Sequence, residues 1–196
     1  FRSTAGFHPT PRLVFALSLP LGVVGRDEVC ELELTEPRDA AETLARLAAQ
    51  APDGLAFTRV SVVPMKATAI PRRAVYTLPL PADRADETAA RCRDLMAEPK
   101  VWVDRLRPSP KRLNIRPYLR DLRVTDSVLS LDLWVTQTGT ARADELVQLL
   151  GLADLLDGGS VLTRETLELR DEVAATDPTG HPPDRPEVRG VGRLGQ

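Results

Sequence analysis

A short, stiff loop near the start of the sequence carries one of the two histidines. Residues 6–12 read Gly-Phe-His-Pro-Thr-Pro-Arg and lead directly into an apolar segment. A glycine permits a positive φ and the prolines restrict the chain, so this loop would present His8 and Arg12 as donors from a rigid frame. The alternative is a structural loop that places Phe7 in the core. The candidate substrate-binding residues here are Gly6, Phe7, His8, Pro9 and Arg12.

A second candidate site lies in the most basic part of the chain. Residues 100–125 contain eight Lys or Arg and two Asp or Glu, although the whole chain has a formal net charge of −2. Residues 112–120 alternate, which places three Arg, one Asn and one Tyr on one face of an extended chain. Phosphate contacts with a stacking ring suit single-stranded RNA. The alternative is an ordinary solvated face that acidic neighbours neutralise. The candidate residues are Arg112, Arg116, Tyr118 and Arg120.

A third candidate is Arg142, in the segment Gly139-Thr140-Ala141-Arg142 before a predicted helix. A helix N-terminus with an arginine beside it can hold a phosphate or a carboxylate. The alternative is simple capping, because Asp144 and Glu145 would complement the helix dipole in the first turn.

Composition excludes several classes of protein. The chain has 196 residues, of which 42% are hydrophobic and 28% are charged, so it is neither a coiled coil nor a disulfide mini-protein. The two cysteines, Cys30 and Cys92, form no CxxC or CxxxCxxC motif, so we expect no metal site and no iron–sulfur cluster held by this chain. Buried free thiols favour a cytoplasmic protein, and no apolar run has the ~20 residues that a membrane helix needs. We assign no catalytic residue.

Periodicity predicts two α+β units that would position these residues. Residues 1–63 are expected to form strands at 13–19, 30–34 and 55–63, with a helix between about 37 and 50. Residues 64–73 would link them to a second unit, 74–170. That unit would have strands at 74–80, 101–106, 112–124, 128–136 and 161–169 and helices at 83–97 and 142–156.

These orders predict two ferredoxin-like (split βαβ) units, with the first unit truncated at its N-terminus. The first would have the complete fold if one strand and one helix preceded Phe1, so we expect a missing N-terminal piece. The tail, residues 171–196, is rich in Pro and Gly and is predicted to be disordered.

Several segments together resemble a known family. Residues 6–13, continued by Leu19-Pro20-Leu21-Gly22-Val23, resemble a signature of the radical SAM-associated (radical SAM-linked) domain of unknown function. Residues 114–119 resemble its second signature, and residues 139–142 with the closing strand around Arg164 resemble its third. The resemblance covers about residues 1–170. In that family a strand and a helix precede the first signature.

This resemblance implies a role beside another protein, because the family occurs fused to, or next to, B12-binding radical SAM proteins. It implies an accessory, non-catalytic module that presents an RNA or RNA-linked substrate. The partner would carry the iron–sulfur cluster, S-adenosylmethionine and cobalamin. Two alternatives stay open. One is a protein-docking domain for that partner, and the other is an RNA-cleaving or RNA-modifying enzyme that uses His8.

Overall fold

The structure is a computed structural model that describes residues 2, 7–64, 67–106, 108–170 and 188–190. In chain order the strands are β1 (Leu13–Phe15), β2 (Val23–Gly25), β3 (Cys30–Leu32), β4 (Pro71–Pro79), β5 (Trp102–Arg105), β6 (Lys111–Asn114), β7 (Leu119–Thr125), β8 (Val128–Thr136), β9 (Gly139–Thr140), β10 (Leu162–Leu169) and β11 (Val188–Gly190). The α-helices are α1 (Ala40–Ala48), α2 (Ala82–Ala97), α3 (Ala143–Leu149) and α4 (Ala153–Asp157), and a 3-10 turn spans Arg116–Tyr118. The predicted mixed α+β class is confirmed.

The chain divides into two compact units, and each is built from two stretches of sequence. The first comprises Phe1–Ala16 and Cys30–Ala69, and the second comprises Leu17–Val29 and Ile70–Gln196. Residues 17–29 therefore belong with the second unit, although the sequence places them in the first. The physical reason is strand pairing, because β2 runs parallel to β10 in the second unit.

The first unit is a small two-stranded sheet with one helix. β1 and β3 pair antiparallel, with Leu13 opposite Leu32. The carboxylate of Asp39 begins α1 by accepting hydrogen bonds from the backbone N–H groups of Ala41 (2.8 Å) and Glu42 (3.1 Å). None of the described residues of this unit is buried. The predicted strand at 55–63 is wrong, since those residues form no strand.

The second unit contains the core. Its main sheet has the order β2-β10-β4-β8-β7, and every pair on this path except β2 with β10 is antiparallel. The strands β4 and β7 are parallel, β8 lies between them, and α2 lies in the connection from β4 to β7. In the same way β4 lies between β8 and β10, and α3 and α4 lie in the connection from β8 to β10. This is the connectivity of a split βαβ arrangement. The fully buried leucines include Leu78, Leu129, Leu131, Leu133 and Leu146.

Two predicted elements of this unit are interrupted. The extended segment expected at 112–124 is divided into β6 and β7 by the 3-10 turn, which contains Pro117. A proline cannot donate to a strand ladder, so it ends the pairing there. The helix expected at 142–156 is divided into α3 and α4 at Gly151, whose φ of 73° lies in the left-handed region.

The β5–β6 hairpin is a separate sheet, extended by β11 along the other edge of β6. The tail at 171–196 that the sequence predicts to be disordered lies outside the described residues, apart from β11. No helix among the residues that the structure describes is both long enough and apolar enough to cross a membrane.

A buried arginine fastens the inserted segment 17–29 to the main sheet. Arg164 on β10 has no exposed surface, and its guanidinium donates to both carboxylate oxygens of Glu28, with 2.6 Å between Nε and Oε1. It also donates to the backbone carbonyls of Leu17 (2.9 Å) and Ser18 (3.3 Å) and to the hydroxyl of Tyr76 (3.3 Å). The buried charge of Arg164 and its hydrogen-bond donors therefore hold segment 17–29 against the main sheet.

We predict that Glu28→Gln lowers the free energy of unfolding by about 3–5 kcal/mol, because it leaves the Arg164 charge buried without a counter-ion. Urea or guanidinium denaturation followed by circular dichroism measures this. Asp121→Asn is the matched control, since Asp121 pairs with Arg123 on the surface and should cost at most about 1 kcal/mol. Equal losses for the two variants would contradict the structural role of Arg164.

The two thiols should react very differently. Cys92 on α2 is buried, and burial raises its pKa to about 11, so that at pH 8 only about 0.1% is thiolate. Cys30 is exposed on β3, where partial burial of the thiol raises its pKa. At pH 8 we expect iodoacetamide to modify Cys30 in the folded chain and Cys92 only after denaturation, as read by peptide mass spectrometry. Fast modification of Cys92 in the native chain would contradict its placement.

Candidate functional site

The N-terminal loop contributes exposed residues but no assembled site. Gly6 lies outside the described residues. Phe7 is fully exposed, which contradicts the interpretation that the loop places it in the core, and His8 and Pro9 are exposed as well. Arg12 donates to the Glu33 carboxylate at 2.7 Å, and Arg2 donates to the same carboxylate. These hydrogen bonds lower the pKa of Glu33, with that from Arg2 contributing most.

The predicted basic face of residues 112–120 does not exist as one surface. Arg112 lies on the β5–β6 hairpin, Arg116 lies in the 3-10 turn, and Arg120 lies on β7 of the main sheet. The alternation in the sequence is real, but the turn at Pro117 redirects the chain between the two sheets. Each of these side chains therefore has its own surroundings.

Arg116 satisfies backbone groups at the end of α2. Its guanidinium donates to the carbonyls of Met96 (2.9 Å), Glu98 (3.1 Å) and Leu119 (3.2 Å). Carbonyls in the last turn of a helix have no partner within the helix, and a cation there also suits the helix dipole. With all three guanidinium nitrogens used in this way, the phosphate contact expected from Arg116 is not supported.

Tyr118 is the clearest departure from the expected RNA face. Its side chain has no exposed surface, so the ring cannot stack on a base. The hydroxyl is buried as well and has no hydrogen-bond partner among the described residues. It lies against Gly139, where an added Cβ would be 3.6 Å from the hydroxyl oxygen. The buried ring therefore packs in the core, and the prediction that it stacks on a base is wrong.

Arg120 belongs to an ion-pair network on the main sheet. It donates to Asp132, which is 2% exposed and also accepts two hydrogen bonds from Arg73, at 2.7 and 2.8 Å. Arg73 and Arg72 in turn donate to Glu168, at 3.3 and 3.0 Å. The guanidiniums of Arg72 and Arg120 lie 5.1 and 5.5 Å from the Trp134 ring centroid. Salt bridges and cation–π contacts therefore already engage Arg120.

Other cations of the basic segment are paired too. Arg105 donates to both carboxylate oxygens of Glu145, at 2.6 and 2.8 Å, and to the carbonyl of Thr140 at 2.9 Å. Arg123 donates to Asp121 at 2.6 Å. The alternative interpretation of the segment, in which acidic neighbours neutralise its charge, therefore holds for Arg105, Arg120 and Arg123.

An aromatic and basic surface remains on the β5–β6 hairpin, and we call Lys100, Trp102 and Arg112 the Trp102 patch. The Lys100 ammonium lies 6.0 Å and the Arg112 guanidinium 5.7 Å from the centroid of the Trp102 ring. Trp102 is partly exposed, and Lys100 and Arg112 are exposed. Arg112 also forms a long ion pair of 3.9 Å with Asp104, which is itself 62% exposed. The patch therefore places an aromatic ring beside two exposed cationic side chains.

The sequence did not identify Trp102 or Lys100 as site residues. The available signal was the strand predicted at 101–106, which carries Trp102 next to Lys100. The sequence does not show the register of β5 and β6, in which Asp104 lies opposite Arg112 and Trp102 lies opposite Asn114. Residues two apart on paired strands share a face, so this register brings Arg112 beside the Trp102 ring.

The surroundings of Arg142 favour simple capping of α3 over the binding of a phosphate or a carboxylate. It is the residue before α3, and its backbone N–H donates to the carboxylate of Glu145 at 3.2 Å. That carboxylate is the one that Arg105 holds. The Arg142 side chain is 55% exposed and its Nε lies 4.0 Å from Glu145. Since α3 has only seven residues, its dipole adds little to an anion site.

No metal centre is evident in the part of the chain that the structure describes, where no three His, Cys, Asp or Glu side chains are grouped to hold an ion.

We predict that Arg116→Met destabilises the chain by about 1–3 kcal/mol, because carbonyls at the end of α2 lose their donor. Thermal denaturation measures the loss. Arg112→Met, a change of the same type at an exposed position of the hairpin, should shift stability by less than about 0.5 kcal/mol. A neutral Arg116→Met would show that Arg116 is available for a ligand after all.

Comparison with known proteins identifies the family of the chain. No curated protein and no solved structure matches the chain. A family model described as "Uncharacterized protein conserved in bacteria (DUF2344)" matches residues 2–144. The match includes β1 to β9, both strands of the hairpin with the Trp102 patch, and the loop at residues 7–12. The chain therefore belongs to this bacterial family of uncharacterised domains.

Proposed function

We propose that the chain is an accessory, non-catalytic module that presents an RNA or RNA-linked substrate to a B12-binding radical SAM protein. The observation that carries the RNA part is the Trp102 patch. A nucleic-acid strand without regular structure is bound by an aromatic ring on which a base stacks and by cations that contact the phosphates. The patch supplies both within one two-stranded hairpin.

The geometry of the patch supports this use. Arg112 is more than half exposed, and its ion pair with Asp104 is long and exposed to solvent, so a phosphate can compete for it. Arg105, by contrast, is 10% exposed and bound to a carboxylate that is 14% exposed. Within the hairpin, Arg105 is thus held by a well-shielded ion pair, whereas the ion pair of Arg112 is exposed to solvent.

The radical SAM part of the proposal is supported by the signature-like segments of the sequence. Under this proposal the iron–sulfur cluster, S-adenosylmethionine and cobalamin belong to the partner. The chain's two cysteines are fewer than the three thiolates of a CxxxCxxC motif. This chain would contribute substrate binding, and its partner would contribute the chemistry.

A second candidate function, docking to a protein partner, is favoured by a specific observation in the first unit. The three residues of β1 are apolar and exposed, at 45% for Leu13, 57% for Val14 and 54% for Phe15. Consecutive exposed apolar residues mark protein contacts more often than RNA contacts.

Purification from native lysate with and without RNase separates the two functions. A radical SAM protein that is lost after RNase supports substrate presentation, and one that is retained supports direct docking.

We predict that Trp102→Ala and Arg112→Glu each weaken binding of a labelled single-stranded RNA about tenfold or more, because stacking on one ring contributes about 1–3 kcal/mol. Arg112→Glu should also reduce the slope of log K against log salt concentration by about one phosphate contact. Fluorescence anisotropy across a salt series measures both quantities.

Arg123→Glu is the matched control, since Arg123 is exposed, carries the same charge and lies on β7 rather than on the hairpin. It should change RNA binding less than threefold. If Arg123→Glu weakens binding as much as Arg112→Glu does, the attraction is general and the Trp102 patch is not the site.

A further inference from the structure

The C-terminal tail supplies the third strand of the sheet that carries the Trp102 patch. β11 pairs antiparallel with β6 on the edge opposite β5, so the order of this sheet is β11-β6-β5. In this register Arg189 lies directly opposite Arg112. On the other side of β6, Asp104 of β5 lies opposite the same Arg112. β6 is therefore the central strand, and position 112 has a neighbour on each side.

This register sets two arginine positions side by side. Residues directly opposite each other on antiparallel strands lie on one face of the sheet as immediate neighbours, and two like charges there destabilise the pairing. Asp104 offsets part of the charge, but its ion pair with Arg112 is long, at 3.9 Å, and exposed to solvent. β11 has only three residues, so few ladder hydrogen bonds oppose the repulsion. An anion would therefore stabilise the pairing of β11 with β6.

The charges of this sheet are unbalanced in the same direction. Its three strands carry four Lys or Arg and one Asp. Arg105 is neutralised by Glu145 of α3, which leaves three cations against Asp104. In the tail sequence, residues 171–184 contain four Asp or Glu and no Lys or Arg, whereas residues 185–196 contain three Arg and one Glu. The strand that pairs with the hairpin thus comes from the basic end of the tail.

We propose that Arg112 and Arg189 form a phosphate-binding site, in which one anion binds at these two positions and holds β11 on the hairpin. Two guanidiniums that share one phosphate replace a like-charge repulsion with charge-assisted hydrogen bonds. Because the anion binds the paired form of the tail better than the released form, it shifts the tail toward pairing. This inference rests on the proposed function, under which the anion is a phosphate of the RNA strand whose base stacks on Trp102.

Arg189→Glu separates this role from a structural one, because its two expected effects have opposite signs. A glutamate opposite Arg112 is a favourable cross-strand pair, so it should protect the amides of β11 from hydrogen exchange without any anion. The same glutamate repels phosphate, so the affinity for a labelled single-stranded RNA should fall about tenfold or more.

Arg193→Glu is the matched control, since it makes the same change of charge in the tail, three residues beyond the end of β11. It should change RNA affinity by less than about threefold, as a charge outside the binding site does.

Hydrogen-exchange mass spectrometry of the full chain reads the pairing of β11 directly. It is measured with no addition, with inorganic tripolyphosphate, with the RNA, and with sodium chloride at equal ionic strength. Tripolyphosphate and RNA should each slow exchange in the peptide that contains residues 188–190, and sodium chloride should not. In Arg189→Glu neither anion should slow exchange further. Trp102→Ala should keep the response to tripolyphosphate, because binding of a phosphate needs no aromatic ring.

The proposal is overturned if neither anion slows exchange at residues 188–190, if sodium chloride slows it as much, or if Arg189→Glu and Arg193→Glu weaken RNA binding equally. If Arg189→Glu has no effect while Trp102→Ala weakens RNA binding, this site is contradicted and the proposed function stands. A response to tripolyphosphate without any RNA binding supports the phosphate site and contradicts the proposed function.

Discussion

The guanidinium of Arg164 carries a full charge in a position without solvent, and the second unit depends on how that charge is satisfied. Glu28, which lies 136 positions earlier in the sequence, supplies the carboxylate, and the carbonyls of Leu17 and Ser18 take further donors. A buried charge that loses its partner costs several kcal/mol, so Arg164 and its acceptors stay together. This one contact explains why residues 17–29 leave the first unit and place β2 beside β10.

The same physical rule governs many other arginines of the chain. Arg105, Arg116 and Arg120 each direct their donors to a carboxylate or to carbonyls of the chain itself. A basic segment in the sequence is therefore a poor guide to a basic surface. Of the cations in this basic segment that the structure describes, Lys100 and Arg112 lie exposed beside the Trp102 ring.

Sequence periodicity predicted the elements that bury one face against the core. The strands β4, β8 and β10 and the helix α2 were expected within three residues of their observed bounds, because their apolar spacing is regular. The mixed α+β fold class was predictable for the same reason. The strand expected at 55–63 has suitable spacing too, but spacing alone does not supply a neighbouring strand to pair with.

The site was harder to predict because it depends on register and on long-range pairing. Tyr118 and Arg112 share a face in an extended chain, yet the turn at Pro117 buries the first and leaves the second exposed. Trp102 becomes a site residue only when the hairpin register brings Arg112 beside it. Neither fact can be read from the order of residues, since both are set by contacts between separate segments.

The most direct test of the RNA-binding surface is to identify the residues that contact RNA, rather than to measure a further binding constant. A single-stranded RNA containing photoreactive uridine would be cross-linked to the full chain, and the modified peptides would be identified by mass spectrometry. We expect cross-links to concentrate on the hairpin at residues 100–114, with Trp102 as the main site. Cross-links concentrated on residues 7–12, or spread evenly over the surface, would contradict the assignment of RNA binding to the Trp102 patch.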